Sequence, residues 1–185
     1  MHPDGTLSVN SMSDVDFAGL YKVDPMADVS SAKSRMGYII GMGGCPLVWK
    51  SHQLIPCVCL GTTEAEYYSL SHCLRVLIPI RRVLAEHTQL LNVPHEMKVT
   101  ITSEASEDIS AALLLARDHR LSSRTRYYHT QAHHFWQFVD DGTIKIVPCE
   151  SALMDAYYFT KAMPREGFEA NRKCVQGWSF CNLIF

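Results

Sequence analysis

The chain has 185 residues, of which 47% are hydrophobic and 19% charged, enough for one sizeable core and too few for two full domains. Lys and Arg number 17 against 19 Asp and Glu, so a net charge of −2 exerts no global pull on nucleic acid or an anionic membrane, and any polyanion site must be local. The 7 cysteines are irregularly spaced and include no C-x-x-C pair, which fits neither a disulfide framework nor a zinc cage; the chain reads as intracellular with free thiols. No apolar run reaches the roughly 18 residues that span a bilayer, and the opening "MHPDGTLSVN" lacks the charged-then-apolar form of a secretory signal.

In chain order, "LSVNSMSDVDF" (7–17) alternates apolar positions before Ala18-Gly19 and predicts a strand ending in a turn. "MGYIIGMGG" and "CPLVWKS" predict two further strands joined at Gly43-Gly44 as a hairpin. From Thr63, Leu70, Cys73, Leu74, Leu77, Ile78 and Leu84 recur at helical spacing, which predicts a long amphipathic helix kinked or interrupted at Pro79. "MKVTITS" (97–103) returns to a strand pattern, with "SEAS" resembling a small insertion. "DISAALLLA" (108–116) predicts a helix, and "RDHRLSSRTR" an arginine-bearing loop. A helix from about His129 to Val139, a strand at "GTIKIVP" (142–148) after a D-G turn, and a last helix over "SALMDAYYFTKAM" (151–163) ended by Pro164 complete the order. That order implies a mixed sheet with helices packed on its faces.

Four acids, Asp14, Glu66, Asp108 and Asp155, fall at strand ends or helix starts. Each has a structural explanation of its own. Thr63 with Glu66 is a capping box. Asp108 and Asp155 complement helix N-termini, and Asp14 can be a solvated strand residue. Their joint placement matters more, because these elements can converge at one edge of a mixed sheet. Four carboxylates gathered there repel one another unless divalent cations neutralise them, and hard oxygen ligands suit Mg²⁺ or Mn²⁺.

The pieces "SDVDFAGLY", "AKSRMGYI", "GGCPLVWKS", "TTEAEYYSLS", "EDISAALLLA", "SRTR", "IVP" and "DAYYFTKAMPREGFEANR" stand in the order, and near the spacing, of a known family. Over roughly residues 7–178 the chain resembles the ribonuclease H domain of copia-type LTR retrotransposon polyproteins, leaving 1–6 and 179–185 as ragged termini. The resemblance implies an α/β, ribonuclease H-like fold, a mixed five-stranded sheet with helices on both faces. It also implies hydrolysis of the RNA strand of an RNA–DNA hybrid with two Mg²⁺ or Mn²⁺ ions, with no small-molecule cofactor, and a reverse transcriptase of the same element as companion. By motif, the metal ligands fall on Asp14, with Asp16 as fallback, on Glu66, on Asp108 and on Asp155, while Glu64 reads as surface charge. Glu104 is the alternative to Asp108 if "SEAS" shifts the backbone. Ile109 stands where the family has asparagine, Gly61 where it prefers serine and Met36 where it has threonine. These departures motivate an alternative: a degenerate or domesticated remnant that binds nucleic acid or a protein partner without catalysis.

Arg117, Arg120, Arg124 and Arg126 lie close together and can hold phosphates bidentately, or form a solvated loop. The resemblance favours Arg124 and Arg126, within "SRTR", and Arg120 beside them as nucleic-acid contacts. His129, His133 and His134 lack a converging third ligand for zinc and read as helix surface or core. Trp49, Trp136 and Trp178 sit in apolar local patterns and read as core. The apolar tail "WSFCNLIF" has no assigned role.

Overall fold

The computed structural model describes residues 6–19, 32–54, 58–90, 100–107 and 135–178. The predicted helix at 108–116, the arginine loop, the three histidines and the tail after Trp178 lie outside them.

Three antiparallel strands open the fold: β1 (Thr6–Asp16), β2 (Arg35–Met42) and β3 (Cys45–Gln53). β2 and β3 form the expected hairpin. Gly43 (φ 57°) and Gly44 (φ 80°) both adopt the left-handed backbone that a tight two-residue turn requires and that glycine takes without steric cost. On the other side of β1 lie β4 (Thr100–Thr102) and β5 (Glu104–Glu107), both parallel to it, and then β6 (Lys145–Pro148), parallel to β5. Thr6 pairs with Thr100 and Met12 with Ser106, a constant offset of 94 residues, so β4 and β5 form one strand line broken only at Ser103. The sheet order is therefore β3-β2-β1-β5-β6 with β4 on the line of β5, giving five strand positions.

The strand therefore runs on through "SEAS" to Glu107, past its predicted end at residue 103. The segment was opaque because its side chains are small or polar, yet Ser103, Ala105, Ser106 and Glu107 are all buried. The Glu107 carboxyl is tolerated there because it is bonded across strands, accepting from Ser13 Oγ through Oε1.

The long helix Thr62–Leu90 packs on one face of the sheet, its Leu70, Leu74 and Leu77 meeting Val9, Val15 and Ile40. It continues through Pro79 rather than ending there. Pro79 and Arg75, whose carbonyl loses its i+4 donor, are both exposed, so water can satisfy that oxygen. Residues 135–140 are helical and add Phe135 and Trp136 to this core. Trp136 is buried as expected. Trp49, on the edge strand β3, is 49% exposed and Trp178 is 75% exposed, contrary to the core reading of both.

The opposite face carries Met12 and Ile39 against a 3-10 helix, Asp155–Phe159, and the last helix, Arg165–Val175. The last helix thus follows Pro164 instead of ending before it. Its signals are in the sequence: Pro164 at the N-cap, Glu166 in the first turn, and Arg172 and Lys173 in the last. It closes in a Schellman motif, with Gly177 at φ 73°, Gly177 N donating to Cys174 O at 2.9 Å and Trp178 N to Lys173 O at 2.8 Å. Cys174 is disulfide-bonded, against the expectation of free thiols, whereas Cys45, Cys59, Cys73 and Cys149 are not in disulfides. Among the described residues no helix is long and apolar enough to cross a membrane.

Candidate functional site

The site is built where β1 ends. Strand alternation turns Val9 and Val15 toward the long helix and Met12 toward the other face, so Asp14, two residues after Met12, faces the 3-10 helix. Asp14 is 1% exposed. Its Oδ2 accepts from Thr160 Oγ1, and its Oδ1 lies 3.4 Å from Lys161 Nζ. The same ammonium stands 3.5 Å from the centroid of the Tyr157 ring, so Lys161 is held between a carboxylate and a π face.

Gly37 makes this approach possible. It pairs with Asp14 across β1 and β2, and a side chain there would run into Phe159 Cβ. The bare backbone lets the end of the 3-10 helix lie directly on the sheet, and Thr160 and Lys161 follow onto Asp14. These two contacts were not anticipated, although "FTK" is part of the family-like segment that contains Asp155.

From the other face, Ser69 Oγ donates to the backbone carbonyl of Asp14 at 2.9 Å, which fixes the first turns of the long helix against the end of β1. Glu66 is one turn earlier on the same helix side and is 4% exposed. The capping role falls on Glu64 rather than Glu66: Ala65 N donates to Gly61 O as the first helical bond, and Leu60 N donates to Glu64 Oε2 at 2.8 Å. Glu64 is therefore a buried cap, not surface charge, and Glu66 is not needed for helix initiation.

Asp155 opens the 3-10 helix, is buried, and has its Oδ2 3.8 Å from Cys174 Sγ. Asp16 lies at the rim, with its carboxylate over Gly19 in the space a Cβ there would take. Asp108 lies outside the described residues, as do Arg117, Arg120, Arg124 and Arg126. Glu107, the residue before Asp108, is fully buried and bonded to Ser13; its burial was not foreseen. Glu104 sits much lower on the sheet: its N–H donates to Asn10 Oδ1 at 3.1 Å and its carboxylate pairs with Lys145 at 3.2 Å. Asn10 precedes Asp14 by four strand residues, about 13 Å, so Glu104 belongs to another part of the sheet.

Carboxylates are the hard oxygen donors that Mg²⁺ or Mn²⁺ takes, and the three described candidates are all buried. Among the described residues, no group of three His, Cys, Asp or Glu side chains stands close enough to hold a metal ion. The donor chemistry suits a divalent cation; the described donors alone do not complete a cage.

A mixed sheet of order β3-β2-β1-β5-β6, antiparallel through its first three strands and parallel thereafter, with a long helix on one face and the last helix on the other, defines a ribonuclease H-like domain. No protein-family model matches the chain. Over 163 residues, 88% of its length, it is 28% identical to the Retrovirus-related Pol polyprotein from transposon TNT 1-94 of Nicotiana tabacum, and spans 12% of that polyprotein. The chain is thus a distant homologue of a copia-type retrotransposon Pol polyprotein. Similar solved structures include RNase H1 from Halobacterium salinarum NRC-1, with TM-score 0.49 and 13% identity, covering 88% of this chain and 98% of that one. The N-terminal RNase H domain of rv2228c from Mycobacterium tuberculosis gives TM-score 0.48 and 11% identity, covering 94% and 99%. LC11-RNase H1, solved in complex with an RNA/DNA hybrid, gives TM-score 0.47 and 12% identity over 82% and 93%. The strand order and directions, rather than these superpositions, define the fold.

Proposed function

We propose that this domain is a metal-dependent endonuclease that hydrolyses the RNA strand of RNA–DNA hybrids, with Asp14, Glu66, Asp108 and Asp155 as its metal-binding acids. The observation that carries the reading is the end of β1. A buried Asp14 meets the 3-10 helix from one face, and the Ser69 bond to its carbonyl brings the helix bearing Glu66 against it from the other. The neighbouring parallel strand ends at Glu107, and Asp108 is the next residue in the chain. The unbroken register of that strand favours Asp108 over Glu104 as the third acid.

Two bound Mg²⁺ or Mn²⁺ ions would supply an activated water and charge stabilisation at the leaving oxygen. Within the chain, Thr160 orients the Asp14 carboxylate, and Lys161 balances its charge. Arg120, Arg124 and Arg126 would hold strand phosphates, with 2′-hydroxyl and phosphate contacts giving little sequence preference. A reverse transcriptase of the same element is the natural companion, since the relative is a Pol polyprotein.

The test is cleavage of a labelled RNA–DNA hybrid by the purified chain in Mg²⁺, in Mn²⁺ and in EDTA, beside the same RNA single-stranded. Metal-dependent cutting of the hybrid alone is expected. The Lys161–Asp14 ion pair favours a second reading, a remnant in which the first acid is neutralised internally and the fold only binds nucleic acid or a protein partner. Salt-sensitive hybrid binding without turnover would select it.

A further inference from the structure

We infer that the cleft beside Asp14, lined by Lys33, Arg35, Ser51, Gln53 and Lys161, is a binding site for a backbone phosphate of a nucleic-acid strand. The cavity measures about 620 Å³ and is open on the face that carries the 3-10 helix. Its volume lies in the range of small-ligand sites, room enough for a phosphate with its sugar.

Sheet register fixes where the charges stand. Asp16, Arg35 and Gln53 are neighbours in one row across β1, β2 and β3; Asp14, Gly37 and Ser51 form the row two residues inward. With about 4.8 Å between strands and 3.3 Å per residue, Arg35 Cα is about 8 Å from Asp14 Cα. A strand held at Asp14 would therefore cross this row.

The cleft is basic in a chain that is net acidic. Lys33, Arg35 and Lys161 face a single acid, Asp16. Among the described residues the ion pairs engage Lys145, Lys161 and Arg172, and neither Lys33 nor Arg35 has a carboxylate at ion-pair distance. Lys161 is committed to Asp14, so Lys33 and Arg35 carry the charge available to an incoming anion. Arg35 is also preset: its Nη1 donates to Ser51 Oγ at 3.2 Å, and Ser51 Oγ donates to the Phe159 carbonyl. An anchored guanidinium keeps its planar fork for a phosphate at low entropic cost. The positive field is felt nearby, since burial and then the Lys50 and Arg35 charges hold the His52 imidazole below its ordinary range.

A carboxylate ligand would satisfy the same cations. The adjacency to Asp14 favours a phosphodiester, a choice that rests on the nucleic-acid reading of the site.

The experiment is fluorescence anisotropy of a labelled RNA–DNA hybrid, titrated in EDTA at several KCl concentrations. It compares the wild type with a Lys33→Gln/Arg35→Gln double variant and with Lys145→Gln, a cation outside the cleft. Loss of one phosphate contact should make the slope of log K against log[KCl] shallower by about 0.9 and weaken low-salt binding about tenfold, with Lys145→Gln unchanged. A double variant with wild-type slope and affinity, or a wild type that binds no hybrid, would overturn the site. Should the double variant melt early, Lys33→Gln, which leaves the Arg35–Ser51 bond in place, carries the same comparison. Hybrid binding in this titration with no cutting in the Mg²⁺ and Mn²⁺ cleavage assay would refute the nuclease and keep the cleft; cutting in that assay with an unaltered slope here would refute the cleft and keep the nuclease.

Discussion

Gly37 and Phe159 touch so closely that the glycine cannot carry a side chain. A Cβ built on Gly37 would collide with Phe159 Cβ and come within 3.0 Å of Thr160 Cγ2. Both neighbours belong to a packed 3-10 segment, so the collision cannot be relieved by rotating one flexible side chain. Gly37→Ala should cost about 1–3 kcal/mol, the usual penalty of overpacking, and should loosen the Thr160 bond to Asp14. Urea unfolding measures the first effect. The second would appear as lost hybrid cleavage at a temperature where the variant is still folded.

Glu107 is buried without exposure and accepts a hydrogen bond from Ser13. Ser13→Ala removes a donor that water cannot replace at that depth. The expected loss is about 1–3 kcal/mol of stability, read from the shift in urea midpoint at constant m-value. A variant as stable as the wild type would show that the bond contributes nothing net.

Burial pushes the Cys73 thiol up to about 12 from an ordinary value of 9.0, the Glu107 charge adding to the rise and a hydrogen bond with Ser11 opposing it. The folded state therefore favours the protonated thiol. Its contribution to stability is complete below pH 9.0 and is lost as pH rises toward about 12. Stability should fall over that window in the wild type and fall less in Cys73→Ala. At pH 8, iodoacetamide should modify exposed Cys45 in the native protein and leave Cys73 untouched until unfolding.

Gly177 ends the last helix with φ at 73°. An alanine there meets the left-handed backbone penalty, so Gly177→Ala should destabilise by about 1 kcal/mol. A Tm shift of a few degrees checks it.

Where the hydrophobic period and the turn residues agreed, the fold was legible. β1, the Gly43-Gly44 hairpin, the long helix and β6 all followed from them. It failed where local chemistry had two meanings. "TTEAEY" holds two glutamates in its helix-start pattern, and only the coordinates assign Glu64 to the cap. Pro164 reads equally as a stop and as a start; the 3-10 helix before it is set by the sheet contact at Gly37, a tertiary constraint with no periodic signature. "SEASE" hides a buried parallel strand behind polar residues: it pairs with β1 along the backbone, and its Glu107 is accommodated by a bond from Ser13. For the site, Asp14, Glu66 and Asp155 could be picked out as strand-end and helix-start acids and all proved buried. Thr160 and Lys161 could not be tied to Asp14, 146 and 147 residues away, until the 3-10 segment was laid on the sheet.

The most direct measurement is single-turnover cleavage of an RNA–DNA hybrid in Mg²⁺ by the wild type, Asp14→Asn and Glu104→Gln. Asparagine keeps an oxygen for the Thr160 bond but lacks the negative charge a divalent cation requires. The account predicts cutting by the wild type and by Glu104→Gln, with cleavage reduced to background in a folded Asp14→Asn; undiminished cutting by Asp14→Asn would contradict it.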